Sequence, residues 1–404
     1  MTLRPSATLR ALGLIVCVLC VVTTSARTPL LDTATQGAGA ALVLAPFVGR
    51  AITPAVHLLN TPPDYVGVAI GNVTLIEQTD GFVVIDSGMT AAHGRTVVAY
   101  ARSLAPKPIK VVAITHWHND HPQGVSAIRD AYPDVRIIST KATERALLSA
   151  DAAFDIGYAP NPAADAAVGA RLGETLQQYR QLLEDPSTAA DRRVRLTRAI
   201  AEITAYVDAF KGSYLVPPTE TFERELVIAD DQHPVRLRYL GHANTDGDLV
   251  AWLPKQQIVV TGDIVVSPYP FGFGSFPKEW IRTLGTIKAL GFKTLIPGHG
   301  EPQHDGRYLD TLITAISAIR TQVAALAKQG LSLEDVKAKA DFTATAELFG
   351  NTPRDKANFQ ALFGSPMTEN AYKEAKGLPM GYVASEQPRF TEKAPQSKAI
   401  HHKR

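Results

Sequence analysis

The spacing of hydrophobic positions changes along the chain, and each change marks a different kind of element. From Tyr65, VGVAIGNVTLIEQ and GFVVIDSG are β-branched apolar runs separated by Thr79-Asp80-Gly81, which predicts two strands joined by a hairpin. Ala91 to Leu104 takes helical spacing, Pro106 and Pro108 interrupt it, and IKVVAIT predicts a short buried strand that delivers His116 at its end. Gly124 to Ala131 reads as a helix and VRIIST as another strand. Strand, helix and strand in alternation predict an α/β fold with helices packed on sheets.

From about residue 150 to 221 the alternation stops. Val168, Leu172, Leu176, Tyr179 and Leu183, then Leu196, Ile200, Ile203, Val207 and Phe210, recur at spacings of three and four, and Glu184-Asp185-Pro186-Ser187-Thr188 joins them. This predicts a helical hairpin inserted in the sheet-forming sequence. It could be a substrate-facing lid, a packing insertion or an oligomer contact, because an amphipathic stripe reports burial and not purpose. Strands return with ERELVIA, HPVRLRYLG, DLVAWLP and QQIVVTGD. Residues 279 to 290 read as a helix, KTLIPGHG as a last short strand ending at His299, and Leu309, Ile313, Ile316, Val323 and Leu326 as a long helix. Ser332-Leu333-Glu334-Asp335 has the spacing of a capping box at the start of a further helix.

The two ends of the chain have different patterns. Arg4 and Arg10 precede an apolar run from Ala11 to Val22, with small residues up to Ala26. That arrangement predicts a cleaved export signal, since spanning a bilayer takes about 20 apolar residues. The expected location is periplasmic or secreted, with no stable membrane anchor after cleavage. Residues 27–64, including QGAGAALVLAPFVGRAITP, show no sustained period and read as a loosely structured lead-in. From residue 378 the sequence reads as a basic, flexible tail in which His401 and His402 are solvated.

Composition narrows the picture in two respects. Cys17 and Cys20 are the chain's 2 cysteines and both lie in the signal, so the cleaved protein holds together without disulfides. The signal also carries Arg4 and Arg10, so of 41 Lys+Arg against 39 Asp+Glu, cleavage leaves equal numbers. A nucleic-acid partner, which asks for a clustered basic surface, is not expected. A small-molecule substrate is the expected partner; the oligomeric state is not legible.

The candidate chemistry is concentrated in ITHWHNDHP, Ile114 to Pro122, directly after an apolar run. His116 and His118 stand two apart, so an extended backbone puts both imidazoles on one face, while Asp120 and His121 fall where the chain turns toward a second point. Burying three imidazoles and a carboxylate without a metal or full hydrogen bonding costs several kcal/mol, so these residues predict a metal site for two adjacent cations. Asp86, in VVIDSG, reads equally as a turn-forming residue and as a buttress of that loop. Tyr269, Phe271, Phe273 and Phe276, in the Gly/Pro-rich SPYPFGFGSFP beside Asp263, could line an apolar substrate pocket or pack on one another.

THWHNDH, the TDGD of GHANTDGD, TGD at Asp263 and PGHG at His299 together resemble the metallo-β-lactamase-fold hydrolase superfamily, from about residue 65 to 305. The resemblance implies an αββα sandwich, here with a helical-hairpin insertion and a C-terminal helical extension over 306–377. It implies two divalent metal ions, usually zinc, at one edge. His116 and His118 match first-metal ligands, Asp120, His121 and His299 second-metal ligands, and Asp263 the bridging carboxylate; Asp120 would also orient a water acidified between the metals. The implied activity is hydrolysis of an ester, lactone, thioester or amide of a small molecule.

One position departs from the family pattern. Asn244-Thr245 stands where the family carries His-Thr, so the third first-metal imidazole is missing and either Asn244 or His242, two residues earlier, is the candidate replacement. An amide oxygen is a weaker zinc ligand, so a weak first site is expected, and a catalytically weakened metal-binding or partner-binding protein is a second reading. His118 stands where di-iron oxidoreductases of the fold carry Glu, which argues for hydrolysis. A third reading is β-lactamase activity on β-lactam antibiotics, although the cysteine ligand of one β-lactamase subclass has no counterpart here.

Overall fold

A computed structural model describes residues 47–62, 69–149 and 157–381. The predicted signal, the first part of the lead-in and residues 382–404 lie outside the described residues. Among the described residues twelve strands form two sheets: β1 Val48–Thr53, β2 Val56–Asn60, β3 Val73–Gln78, β4 Gly81–Ile85, β5 Ile109–Ala113, β6 Arg136–Thr140, β7 Glu220–Phe222, β8 Glu225–Ile228, β9 Val235–Tyr239, β10 Leu249–Leu253, β11 Ile258–Val260 and β12 Thr294–Ile296. The first sheet is 7-stranded in the order β1 to β7, and the second is 5-stranded in the order β12-β11-β10-β9-β8.

Period-two alternation stacks these sheets. Phe82 and Val84 of β4 point into a core shared with helices, while Val83 and Ile85 point into the core between the sheets. Across that inner core, Leu249, Ala251 and Leu253 of β10 come from the second sheet, and Val250 and Trp252 of the same strand face the helices on its other side. Both sheets are therefore apolar on both faces, which forces a helical layer onto each and gives four layers, α, β, β and α. Ala91–Leu104, Val125–Ala131 and Lys141–Leu147 cover the first sheet. Pro277–Lys288, Arg307–Lys328 and the helices after it cover the second. Arg307–Lys328 is long and apolar enough to cross a membrane, but its Leu312, Ala315, Ile316 and Ile319 face is buried in this outer core.

The hairpin helices are Pro162–Glu184 and Ala190–Phe210; they pack on each other and extend the core of the first sheet through Leu172, Leu176, Leu196 and Ile203. The joining segment is held by Arg193, whose guanidinium donates to the carbonyls of Leu183, Asp185 and Thr188. Ser332 caps its helix as its spacing predicts, accepting from Asp335 N at 3.1 Å.

The lead-in needs correction over residues 48–60, which form β1 and β2, the first antiparallel pair of the large sheet. Every residue of β2 is buried, so it has no polar face to give the sequence a period. In β1 a Cβ on Gly49 would lie 2.2 Å from the Tyr100 ring, which would have to shift. The short strand β7 and helix Lys141–Leu147 also carry too few residues to show a period.

Candidate metal centre

Strand ends bring the chemistry to one edge of the sandwich. Parallel β4 and β5 deliver Asp86 and the loop from Thr115 to His121; parallel β11 and β12 deliver Asp263, in the 3-10 turn Gly262–Ile264, and His299. The sheets are tied together at this point. Asn72 N donates to Gly298 O at 2.7 Å and its Nδ2 donates to the carbonyls of Pro297 and Gly300, both at 2.9 Å. Gly71 N donates to Asp120 O at 3.2 Å. Asn72 has no signal in the sequence, because its role depends on a chain segment more than two hundred residues away.

Asp86 is a buttress. It is buried with φ of 61°, a left-handed conformation that Asp tolerates better than most residues, and its Oδ1 accepts Thr115 N at 2.7 Å. Its Oδ2 accepts both the Thr115 hydroxyl, at 2.7 Å, and His121 Nδ1, at 2.8 Å. Thr115 Oγ1 in turn lies 3.1 Å from His116 Nδ1. One carboxylate thus holds a proton on Nδ1 of His121 directly and of His116 through a hydroxyl, leaving Nε2 as the lone-pair nitrogen of both neutral rings.

Among the described residues two groups of side chains present ligand atoms within 4.8 Å of one another: His116, His118 and Asp263, and Asp120, His121 and His299. His116 Nε2 is 2.9 Å from His118 Nδ1 and 3.6 Å from Asp263 Oδ2. Asp263 Oδ1 is 3.3 Å from His121 Nε2 and 3.4 Å from His299 Nε2, so the Asp263 carboxylate spans both groups. Asp120 Oδ2 closes the second group, 3.0 Å from His299 Nε2 and 3.6 Å from His121 Nε2. Gly298 makes room for the Asp263 carboxylate, since a Cβ there would lie 2.1 Å from Asp263 Oδ1.

Divalent cations fit this donor set. His121 Nε2, His299 Nε2 and Asp263 Oδ1 are buried at short range yet none makes a hydrogen bond, an expensive arrangement that a shared cation would satisfy. Neutral imidazole nitrogens with carboxylate oxygens suit zinc and neighbouring transition metals. Electrostatics point the same way. Burial alone would raise the pKa of Asp120 and Asp263, but His121 and His299 pull Asp120 down to about 2, and His299, His121 and His116 pull Asp263 well below the carboxylate range. Burial and the neighbouring His121 push His116 down to about 4. Burial opposes protonation of His121 and His299 as well, but the Asp120 and Asp263 carboxylates, with Asp86 beside His121, raise both above the ordinary histidine value.

Asn244 and His242 take different places. His242 belongs to neither group; its ring lies 4.4 Å from that of Phe276 and lines a cavity of about 230 Å³ with Lys141, Arg145, Tyr239 and Asp246. Asn244 is fully buried, donates Nδ2 to Phe271 O at 2.8 Å, and keeps Oδ1 without a hydrogen-bond partner. Of the loop aromatics, Phe271 reaches the centre, its ring 5.1 Å from His299. Tyr269 instead donates its hydroxyl to Asp355 at 2.5 Å, and Phe276 is buried against His242. Phe273 is half-buried.

Comparison with known proteins places this geometry. The family profile described as the metallo-beta-lactamase superfamily matches residues 66–299. A linear primary-alkylsulfatase of Pseudomonas sp. (strain ATCC 19151) is 23% identical over 293 residues, 69% of this chain and 51% of the relative. A type 2 metallo-beta-lactamase of Bacteroides fragilis is 27% identical over 101 residues, 24% of this chain and 41% of that protein. The solved structure of a stereoselective inverting sec-alkylsulfatase from Pseudomonas sp. superposes with a TM-score of 0.51 at 18% identity, covering 78% of this chain and 50% of that one. The chain spans about half the length of these relatives or less.

Proposed function

The chain belongs to the metallo-beta-lactamase superfamily of metal-dependent hydrolases, and from that premise we propose that it hydrolyses an ester bond of a small organic molecule, with alkyl sulfate esters the first class to test. The observation that carries the reading is the pair of ligand groups spanned by Asp263, with its unpartnered buried nitrogens and oxygen. The alkylsulfatase relatives support sulfate esters within that class; carboxylic esters, lactones, thioesters and amides share the chemistry of a water acting on an electrophilic centre.

His116, His118 and Asp263 would hold one cation, and Asp120, His121, His299 and Asp263 a second; zinc is the metal proposed. When bound, two such ions supply Lewis acidity and bring a water's pKa to about 7. The chain's own residues do the rest. Asp86 keeps protons on the outward nitrogens of His116 and His121, so both rings face the centre as acceptors. Asp120, ionised at any physiological pH, orients the attacking water and accepts its hydrogen bond. Phe271 lays an apolar edge beside His299 that excludes bulk water from that side. The N-terminal apolar run supports export, so the proposed substrate is met outside the cytoplasm.

The assay is a panel of alkyl sulfates, aryl esters, lactones, thioesters and a chromogenic cephalosporin, with purified protein before and after chelation. Turnover that is lost on chelation, restored by metal and abolished in Asp263→Ala and His121→Ala is expected; undiminished turnover in either variant overturns the assignment. The stretch shared with the Bacteroides fragilis enzyme favours β-lactam hydrolysis as the second reading, and cephalosporin turnover above that of every ester would establish it. The amide at Asn244 supports a third, a binding protein with a weakened first site, for which fewer than one metal per chain and an inert panel are the signature.

A further inference from the structure

The C-terminal helices reach back to the metal centre through the loop that carries Phe271. The peptide between Phe271 and Gly272 is gripped on both sides: its carbonyl accepts Asn244 Nδ2 at 2.8 Å, and its N–H donates to Leu362 O at 2.9 Å. Leu362 lies in the π-helical turn Gln360–Gly364, between helices Pro353–Phe359 and Ser365–Lys376. Such a turn shifts carbonyls out of the regular ladder and is frequent at functional sites. The next carbonyl, Gly272 O, accepts Asn370 Nδ2 at 2.7 Å, and the same nitrogen lies 3.1 Å from Ser275 Oγ. Asn370 and Ser275 are both buried, and Tyr269 completes the clamp through Asp355.

No slack remains in this arrangement. A Cβ on Gly272 would lie 3.1 Å from Phe363 O and 3.2 Å from Met367 N, so the loop lies directly on the helix backbone. Two successive peptide planes are thereby fixed, and with them the direction in which the Phe271 ring leaves the chain toward His299.

We infer that residues 353–376 are part of the substrate site: Asn370 and the Leu362 carbonyl are positioning groups that hold Phe271 as an apolar wall beside His299, and that wall selects the apolar, alkyl or aryl portion of the substrate. The inference deepens the ester-hydrolase reading and rests on it for the identity of what the wall contacts, whereas the clamp itself is testable without turnover.

Asn370→Ala removes one of two donors to Gly272 O, leaving the Ser275 hydroxyl at 2.9 Å, and so takes away the donor that comes from the C-terminal helices; it is compared with Phe271→Leu. On a homologous series of alkyl esters, both variants are expected to raise KM for the longest chain about tenfold more than for the shortest. The double variant is expected to add little to either, because both act through one ring. Equal effects on all chain lengths, or additive effects in the double variant, overturn the inference. Two measurements need no substrate. Amide exchange at 269–276 should accelerate in Asn370→Ala while exchange in β4, β5 and β11 is unchanged, and the visible spectrum of the cobalt-loaded protein should shift, since the ring beside His299 moves. An unchanged loop and an unchanged spectrum overturn the clamp even if no ester is hydrolysed; a moved loop with an inert panel supports the clamp and indicts the proposed reaction instead.

Discussion

His121 Nδ1 lies 2.8 Å from Asp86 Oδ2, and that same oxygen accepts the Thr115 hydroxyl on which the His116 ring rests. One buried carboxylate therefore fixes the tautomers of two metal-competent histidines assigned to different cations. In Asp86→Asn the amide tolerates the left-handed backbone but carries no charge. Metal affinity is expected to fall about 10- to 100-fold, the usual cost of losing an outer hydrogen-bond partner of a ligand, as measured by competition with a chromophoric chelator.

The close approach of Gly298 to Asp263 gives a second prediction. Gly298→Ala places a methyl 2.1 Å from Asp263 Oδ1, in a segment pinned by Asn72 and unable to retreat. Stoichiometric metal binding is expected to fail, with circular dichroism in the far ultraviolet unchanged. Normal metal content in the alanine variant would refute the spanning role of Asp263.

Loading metal must displace protons. In the metal-free protein the Asp120, Asp263 and Asp86 carboxylates outweigh burial and raise His121, and Asp263 and Asp120 raise His299, so both rings hold an extra proton at pH values where a free histidine has lost it. Apparent affinity should rise with pH through neutrality, and calorimetry in two buffers of different ionisation enthalpy should show net proton release. Protons bound by these two rings stabilise the metal-free fold at acidic pH, and that contribution is lost as pH rises through their raised values.

Asp248 sits under the Asn244 loop, accepting Thr245 N at 2.7 Å and the Thr245 hydroxyl at 2.8 Å. Burial pushes its pKa up to about 7, against 3.8 for an ordinary aspartate. A carboxyl whose folded value is the higher one costs stability as pH rises between the two values, because the unfolded chain gives up its proton first. In chelator, Asp248→Asn should gain on the native chain as pH rises from 4 to 7 and hold a constant advantage above, read from thermal midpoints.

Asn244→His tests the missing imidazole. The variant supplies a nitrogen ligand but gives up the hydrogen bond that the Asn244 amide donates to Phe271 O. Metal content per chain should rise toward two if the native first site is weak, while selectivity for long-chain esters declines because the Phe271 peptide has lost one of its two anchors. Two tightly held metals in the native protein would show that the first site needs no imidazole at this position.

The six-residue cluster from His116 to His121 was legible because adjacent ligands on one strand end need no tertiary information, and the family resemblance extended it to Asp263 and His299. The helical hairpin was equally legible, each helix carrying a full apolar stripe. Asp86 could not be decided from VVIDSG, since a turn residue and a buttress have the same sequence; the distance to His121 decided it. The aromatic loop divided for the same reason. Composition grouped Tyr269, Phe271, Phe273 and Phe276, and packing sent Tyr269 toward Asp355, Phe271 to His299 and Phe276 to His242, and left Phe273 half-buried. Strand β2 was hidden because complete burial removes the polar half of the period, and β1, exposed or half-buried along its whole length, has no buried face to set one.

Local spacing and burial pattern alone determined that this chain builds layered helices and sheets and brings imidazoles and carboxylates to strand ends. Only the tertiary structure decided that Asp86 serves two histidines, that Asp263 spans two ligand groups, and that the C-terminal helices grip the loop beside them. Those relations join residues far apart in the chain, and a hydrogen bond or a close approach between them is set by how the sheets stack, which no local spacing records.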